Sequence, residues 1–311
     1  MSTSFADVYG AVLLRAPGVD PLLAREWVQS TYGEACDDKV WSHQRSETAI
    51  VVKDQRTGTA TATLGLDTLT AGTLTFSSTD VGRQIRVSSV PIYTIIAVTG
   101  GVPTLDRAYS ETSGAQTFSV LDAYWTAPED FWRFLAVIDP SNKWQLRYWI
   151  TEEMINRMDP GRMSTGSPWC LASQRYSPVA ADLGRARYEL FPYVTSARSF
   201  SVMYYTKPTE LADDTVLIGP FARGGKDLLV DGALAKCALW PGTEGAKNPY
   251  FNLVLADKLE VRYRARLANL EVKDEDLYPT YMPWAQYDWA PSPWDSNWLQ
   301  SHAPYTMDTV Y

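Results

Sequence analysis

The periodicity of the sequence changes twice between its ends, and this limits the folds that the chain can adopt. Near the N-terminus, Phe5, Val8 and Val12 recur at helical spacing. Between residues 57 and 120 the chain is rich in Thr, Ser, Val and Gly, with short alternating runs typical of strands. Helical and mixed signals return after Pro128. We therefore expect an α+β fold: a helical-bundle core with an inserted small β-barrel or sandwich domain and an extended C-terminal arm.

Capping residues predict where the helices begin and end. Ser4 is suited to be the N-cap of a first helix that Pro17 and Gly18 end, and Asp20 followed by Pro21 begins a second. Thr151 predicts a short helix over 152–158. Two further helices are expected over 227–240, with Asp227 as its cap, and over about 248–272, with Asn248 as N-cap and Pro249 at the first helical position.

These patterns divide the chain into four parts. Residues 1–52 are expected to form the N-terminal helical hairpin of the core, and residues 53–125 the inserted β domain. Residues 126–275 supply the mixed middle and the closing helices, and residues 276–311 the arm. At 311 residues with 45% hydrophobic and 21% charged residues, the chain is long enough and apolar enough to bury a core.

Charge and apolar runs limit the partners. The net charge is −8, and no Lys or Arg follows Lys273, so strong binding of nucleic acid by the C-terminal segment is not expected. No run approaches the roughly 20 apolar residues that cross a bilayer, and no signal peptide is recognisable, so no membrane partner is expected.

The residues used in catalysis are scarce. There are two histidines, His43 and His302, and three cysteines without CxxC spacing, which we expect to pack as small apolar groups. The carboxylate pairs 37–38, 152–153 and 213–214 are adjacent in sequence, which does not by itself supply a catalytic pair. In residues 219–227 the lysine is displaced from its position in a phosphate-binding loop and an aspartate replaces the hydroxyl residue. We expect no enzyme, no cofactor and no metal site.

An arginine cluster lies in the last predicted helix. Arg262 and Arg266 share one stripe of that helix, whereas Arg264 points elsewhere. The cluster is compatible with a solvated or intramolecularly paired helix surface, with ion pairs across a subunit interface, or with contact to DNA that passes through a ring.

The C-terminal segment alternates aromatic residues with prolines. Prolines favour an extended path, and tryptophans are frequent anchors at protein interfaces. Three interpretations stay open: docking on a partner in an assembly, docking on the chain's own domain, and stacking on sugar rings. The candidate docking residues are Trp284, Trp289, Trp294, Trp298 and Tyr305.

The order of these segments resembles the head-to-tail adaptor (connector, head-completion) proteins of tailed phages. Residues 80–86 (DVGRQIR), 91–95 (PIYTI) and 105–109 (LDRAY) resemble the inserted β module of that family. Residues 233–241 (ALAKCALWP), 248–251 (NPYF) and 253–270 resemble its closing helix pair. One departure is the large size of the insertion and the middle region.

The resemblance implies a structural virion protein. Its partners are then further copies of itself in a dodecameric ring, the portal protein and a tail or neck protein, and DNA passes through the lumen without sequence-specific binding. The implied place is the neck of the virion, with assembly in the host cytoplasm. The alternatives are a carbohydrate-binding module and a tail or baseplate subunit.

Overall fold

The computed structural model describes residues 3–87, 91–243 and 246–277. The chain divides into two compact units, which are treated separately below. The helical unit contains the described residues up to Arg45 and from Thr206 onward, and the sheet unit contains residues 46–205.

Five α-helices occur in the described residues: α1 (Phe5–Arg15), α2 (Pro21–Asp38), α3 (Glu152–Met158), α4 (Lys226–Leu239) and α5 (Leu253–Leu277). The strands of the same residues are β1 (Arg45–Val52), β2 (Arg56–Ala62), β3 (Leu69–Ala71), β4 (Gln84–Arg86), β5 (Tyr93–Thr99), β6 (Val102–Leu105), β7 (Gly114–Leu121), β8 (Tyr124–Thr126), β9 (Phe131–Asp139), β10 (Trp144–Gln145), β11 (Arg147–Thr151), β12 (Cys170–Tyr176), β13 (Ala186–Phe191), β14 (Arg198–Thr206), β15 (Gly242–Thr243) and β16 (Ala246–Lys247).

The predicted caps of three helices are confirmed. Ser4 and Asp7 form a reciprocal capping box at the start of α1. Asp20 accepts a hydrogen bond from the N–H of Leu22, and Pro21 is the first residue of α2. Thr151 caps α3 through the N–H of Met154 at 3.4 Å. These caps could be predicted because each one satisfies backbone groups only two or three residues away.

The predicted caps of the last two helices are wrong. Helix α4 begins at Lys226 after a π-helical turn, Phe221–Gly225, so Asp227 lies in its first turn and is not its cap. Helix α5 begins at Leu253, and Asn248 is a buried residue of the connection. The amide of Asn248 donates to the carbonyl oxygens of Cys237 and Trp240 at 2.7 and 2.8 Å. It therefore satisfies the C-terminal carbonyls of α4.

The core of the helical unit lies between α1, α2, α4 and α5. Helix α4 contacts the other three and has buried residues on most of its surface. The inward stripe of α5 consists of Ala256, Leu259, Tyr263, Leu267 and Leu270. Burial of each large aliphatic side chain contributes about 1.5–3 kcal/mol.

The sheet unit contains three sheets. One has the strand order β1-β14-β9-β10, a second β11-β12-β13-β8, and the third β3-β2-β7-β4-β5-β6. The second sheet is mixed, because β11 pairs with β12 in parallel and the other pairs are antiparallel. The third sheet curls until an isolated bridge, Thr68–Thr104, joins its end strands, but it does not form a closed barrel.

A buried charged network stabilises the second sheet. Glu189 of β13 is fully buried and accepts hydrogen bonds from Arg162 Nε, Tyr193 Oη and Gln174 Nε2 at 2.7, 2.7 and 2.6 Å. A buried carboxylate of this kind requires such partners, because an unpaired charge is strongly disfavoured in an apolar interior.

The predicted fold class is therefore wrong in its main statement. The three sheets of the sheet unit contain fourteen strands, so sheet predominates in the described chain and a helical bundle is not the core of the protein. The error arose in the middle region, where β9 has the sequence FWRFLAVID and no clean alternation of buried and exposed residues. An apolar run of this length does not distinguish strand from helix by periodicity alone. The inserted domain, predicted as a small barrel or sandwich, is the curled six-stranded sheet.

Candidate assembly surface

Three arginine side chains lie close to an aspartate that is buried in the middle of α4. The side chain of Asp231 is fully buried. Arg266 Nη1 and Arg262 Nη2 of α5 lie 2.9 and 3.4 Å from Asp231 Oδ2, and Arg15 Nη1 of α1 lies 3.7 Å from Oδ1. Arg266 also donates to the carbonyl oxygen of Asp227 at 2.7 Å. Three helices thus contribute to one charge cluster.

Close packing of α4 against its neighbours brings these groups together. Gly232 faces α2 and α5, where a Cβ atom would lie 2.4 Å from Thr31 Cγ2 and 3.0 Å from Tyr263 Cδ2. Only a glycine permits this approach without movement of the backbones.

The arginines of the cluster keep much of their surface in solvent. The side chains of Arg15, Arg262 and Arg266 are 50, 57 and 35% exposed. Neither oxygen of Asp231 forms a well-aligned hydrogen bond within the described residues, so its ion pairs leave many guanidinium donors unused. Asp227 adds one more carboxylate, 3.9 Å from Arg15 Nη2. With three guanidinium groups and two carboxylates, the cluster has an excess of positive charge.

Arg264 is separate from this cluster, as its spacing predicted. Its Nε donates to Glu260 one turn earlier at 2.8 Å, and the side chains of Arg264 and Glu260 are 76 and 44% exposed. The side-chain hydrogen bond to Glu260 raises the pKa of Arg264. All three arginines that were predicted to form ion pairs between subunits have partners within the chain. Ion pairs across a subunit interface stay a prediction.

Helix α5 also carries apolar side chains on the face opposite its buried stripe. Val254, Val261 and Val272 are 64, 68 and 55% exposed. At 100° per residue they fall within about 40° of one direction, opposite the buried stripe. Ala265 and Ala268 lie in the same stripe and are exposed. We call these five residues the outward stripe; it runs for about 27 Å along the longest helix of the described chain.

The predicted docking residues of the C-terminal arm, Trp284, Trp289, Trp294, Trp298 and Tyr305, lie outside the described residues. The arm as a whole, predicted to begin at residue 276, is described only as far as Leu277.

The cysteines are buried and free, as predicted. Burial raises the pKa of both the Cys36 and the Cys170 thiol to about 12, so neither is a thiolate at neutral pH. Within the described ranges, no group of His, Cys, Asp and Glu side chains could hold a metal ion. In the same residues, no helix has the length and hydropathy needed to cross a membrane.

The segment that resembled a phosphate-binding loop has a different structure. Phe221 is buried and packs edge-on against Trp41 with ring centroids 5.1 Å apart. The segment therefore contributes to the core of the helical unit.

The sheet unit contains a cavity of about 180 Å³ near β1. Its charged lining groups already have partners: Asp122 accepts from Arg83 Nε at 2.7 Å and from the backbone N–H of Lys53 at 2.6 Å. These bonds connect strands of the curled sheet to the segment after β1. These hydrogen bonds stabilise the sheet unit, and they leave neither Asp122 nor Arg83 free to act as an acid or a base in the cavity.

The sequence analysis missed Asp231 and Arg15. A signal for Asp231 was present, because it is the one acidic residue in the apolar run LLVDGALA of α4. Such a residue requires a partner in the fold. Arg15 had no comparable signal, because only the packing of α1 against α4 brings it to the cluster.

The helical unit thus presents an exposed apolar stripe and a partly exposed arginine cluster on the same helix. The family model described as SU10 adaptor protein matches residues 101–287, well over half of the chain. The chain therefore belongs to the SU10 adaptor protein family, and it is a phage structural adaptor that interacts with other virion proteins. The matched region includes Asp231, Arg262 and Arg266. Among curated proteins, no match was found.

Proposed function

We propose that this protein is a head-to-tail adaptor: a ring of copies that joins the portal to the tail and retains the packaged DNA. The observation that carries the proposal is the outward stripe of α5. A row of exposed apolar side chains on a long helix is unfavourable in a free monomer and is typical of a surface that another protein covers. In closed assemblies of identical chains, the same surface is covered in every copy.

The partners follow from this role. Copies of the chain form a dodecameric ring in the neck of the virion, with the portal on one side and a tail or neck protein on the other. Trp284, Trp289, Trp294, Trp298 and Tyr305 of the C-terminal segment dock on the portal or on a neighbouring subunit, because aromatic side chains act as anchors in interface pockets. The lumen passes DNA without reading its sequence. The role is structural and requires neither catalysis nor a cofactor.

The decisive measurement is the native mass of the purified protein, alone and mixed with the cognate portal ring. A ring, or saturable binding of many copies to one portal ring, is the expected result. A strict monomer that does not bind the portal contradicts the proposal. A glycan screen would then test the carbohydrate-binding alternative, and binding to isolated tails would test the tail or baseplate alternative.

The role of the C-terminal segment has its own test. Truncation before Tyr278 is expected to leave a folded protein that no longer binds the portal. A full-length variant with all four tryptophans of the segment replaced by alanine separates the anchors from the length of the chain. Normal portal binding by both variants contradicts the assigned role of the segment.

A further inference from the structure

Two sides of α5 carry charges of opposite sign. On one side lie Arg15, Lys258, Arg262 and Arg266, which we call the basic edge; Lys258, Arg262 and Arg266 follow one another at intervals of four residues. On the other side, Asp37, Asp38 and Glu260 outnumber one basic residue, Arg264, which pairs with Glu260. We call these three acidic residues the acidic edge. Asp38 and Glu260 both act on Arg264, so the end of α2 and this side of α5 lie close together.

The basic edge has unused capacity for an anion. Each guanidinium group has five N–H donors. Among the described residues, Arg15, Arg262 and Arg266 together donate a single hydrogen bond, from Arg266 to the carbonyl oxygen of Asp227. Since Asp231 and Asp227 balance two of the three positive charges, an external carboxylate can approach without displacing either aspartate.

The acidic edge offers such carboxylates. Asp37 and Asp38 are the last two residues of α2, and both are exposed. In the part of the chain that the structure describes, neither forms an ion pair, and both lie at the C-terminal end of a helix, where a negative charge is unfavourable. A basic group from another molecule would offset the unfavourable negative charge at this helix end.

We propose that the basic edge of one copy binds the acidic edge of the next copy, so that the subunits associate head to tail. This inference rests on the proposed assembly of copies. The edges lie on opposite sides of α5, so a copy that has used one edge still presents the other. Association of this kind continues until rotation closes a ring. The outward stripe lies between the edges, so a neighbour on either side also covers part of it.

The test uses two full-length variants that reverse one edge each. Lys258→Glu with Arg262→Glu reverses the basic edge and leaves Arg15 and Arg266 beside Asp231. Asp37→Lys with Asp38→Lys reverses the acidic edge. Alone, each variant is expected to associate at least about tenfold more weakly than the parent protein, with or without the portal ring. An equimolar mixture is expected to recover assembly, because every contact in an alternating assembly again joins opposite charges.

A matched control reverses two exposed acidic residues outside either edge, Glu26→Lys and Glu210→Lys, and is expected to assemble like the parent protein. Circular dichroism checks that each variant is folded. If Lys258→Glu with Arg262→Glu does not fold, Lys258→Glu with Arg262→Gln replaces it, with the same expected result.

The outcomes separate the two proposals. If the parent protein assembles and the edge variants assemble equally well alone, the pairing of edges is wrong and the proposed function stands. Failure of two folded variants to recover in the mixture also overturns the pairing, as does a closed dimer of the parent protein in place of a ring. If the parent protein neither associates nor binds the portal, both proposals fail.

Discussion

Asp274 of α5 accepts two hydrogen bonds from Ser42, which lies in the short turn after α2. The backbone N–H of Ser42 donates to Oδ2 at 2.8 Å, and the hydroxyl of Ser42 donates to Oδ1 at 2.6 Å. Asp274 is 4% exposed, so solvent does not compete strongly for its oxygens. The pair joins residues 232 positions apart and fixes the last turns of α5 against the helical unit.

Loss of this contact should loosen the end of α5. Asp274→Ala removes the acceptor of both bonds, and amide hydrogen exchange over residues 270–277 should become faster. The free energy of unfolding should fall by about 1–3 kcal/mol, since the donors of Ser42 lose their partner. Ser42→Ala removes only the hydroxyl bond and should have the smaller effect. Equal exchange in Asp274→Ala and the parent protein would show that the contact does not hold the helix.

The burial of His43 predicts that stability depends on pH. Burial lowers the pKa of His43 below its usual 6.5, and the smaller effect of Asp274 opposes this. The unfolded chain then binds more protons than the folded protein at pH values between the folded pKa and 6.5. The contribution to stability is complete above pH 6.5 and is lost as the pH falls towards the folded pKa.

Urea unfolding at pH 7.5 and at pH 5.5 measures this effect. His43→Leu removes the titrating group and should reduce the difference between the two pH values. His302→Gln serves as the control, because His302 is the other histidine of the chain. An unchanged pH dependence in His43→Leu would assign the effect to other groups.

The contact of Gly232 with α2 and α5 predicts an intolerance of side chains at this position. Gly232→Ala places a Cβ atom 2.4 Å from Thr31 Cγ2, and the forced shift should lower stability by about 1–3 kcal/mol. Gly33→Ala in α2 is the matched control, because no atom lies within 4 Å of its added Cβ. That change should raise stability by up to about 1 kcal/mol through helix propensity. Thermal unfolding of both variants tests the difference, and a neutral Gly232→Ala would show that the helices can separate.

The two kinds of arginine on α5 should respond differently to substitution. Arg266→Met removes the nearest partner of the buried Asp231 and should lower stability by about 1–3 kcal/mol, a value discounted for the partial exposure of Arg266. Arg264→Met breaks an exposed pair one turn apart and should change stability by less than about 0.5 kcal/mol. Chemical denaturation measures both, and similar losses would mean that Arg262 and Arg15 suffice for Asp231.

The sequence analysis predicted local features well and distant relationships poorly. The caps of α1, α2 and α3 were correct because a cap joins groups within one helical turn. The start of α5 was wrong because Asn248 bonds to the end of α4, a partner that no local pattern reveals. The middle region was assigned to a helical core because the apolar run that forms β9 shows no clean strand alternation.

Local chemistry by itself determined where three helices begin, that Arg262 and Arg266 share a face, and that the cysteines are apolar in character. The tertiary structure decided that sheets predominate and that Asp231 and Arg15 belong to the arginine cluster. It also decided that the outward stripe of α5 lies opposite its buried face. The physical reason is one of range: capping and side-chain spacing act over a few residues, whereas burial and charge pairing depend on which segments the fold brings together.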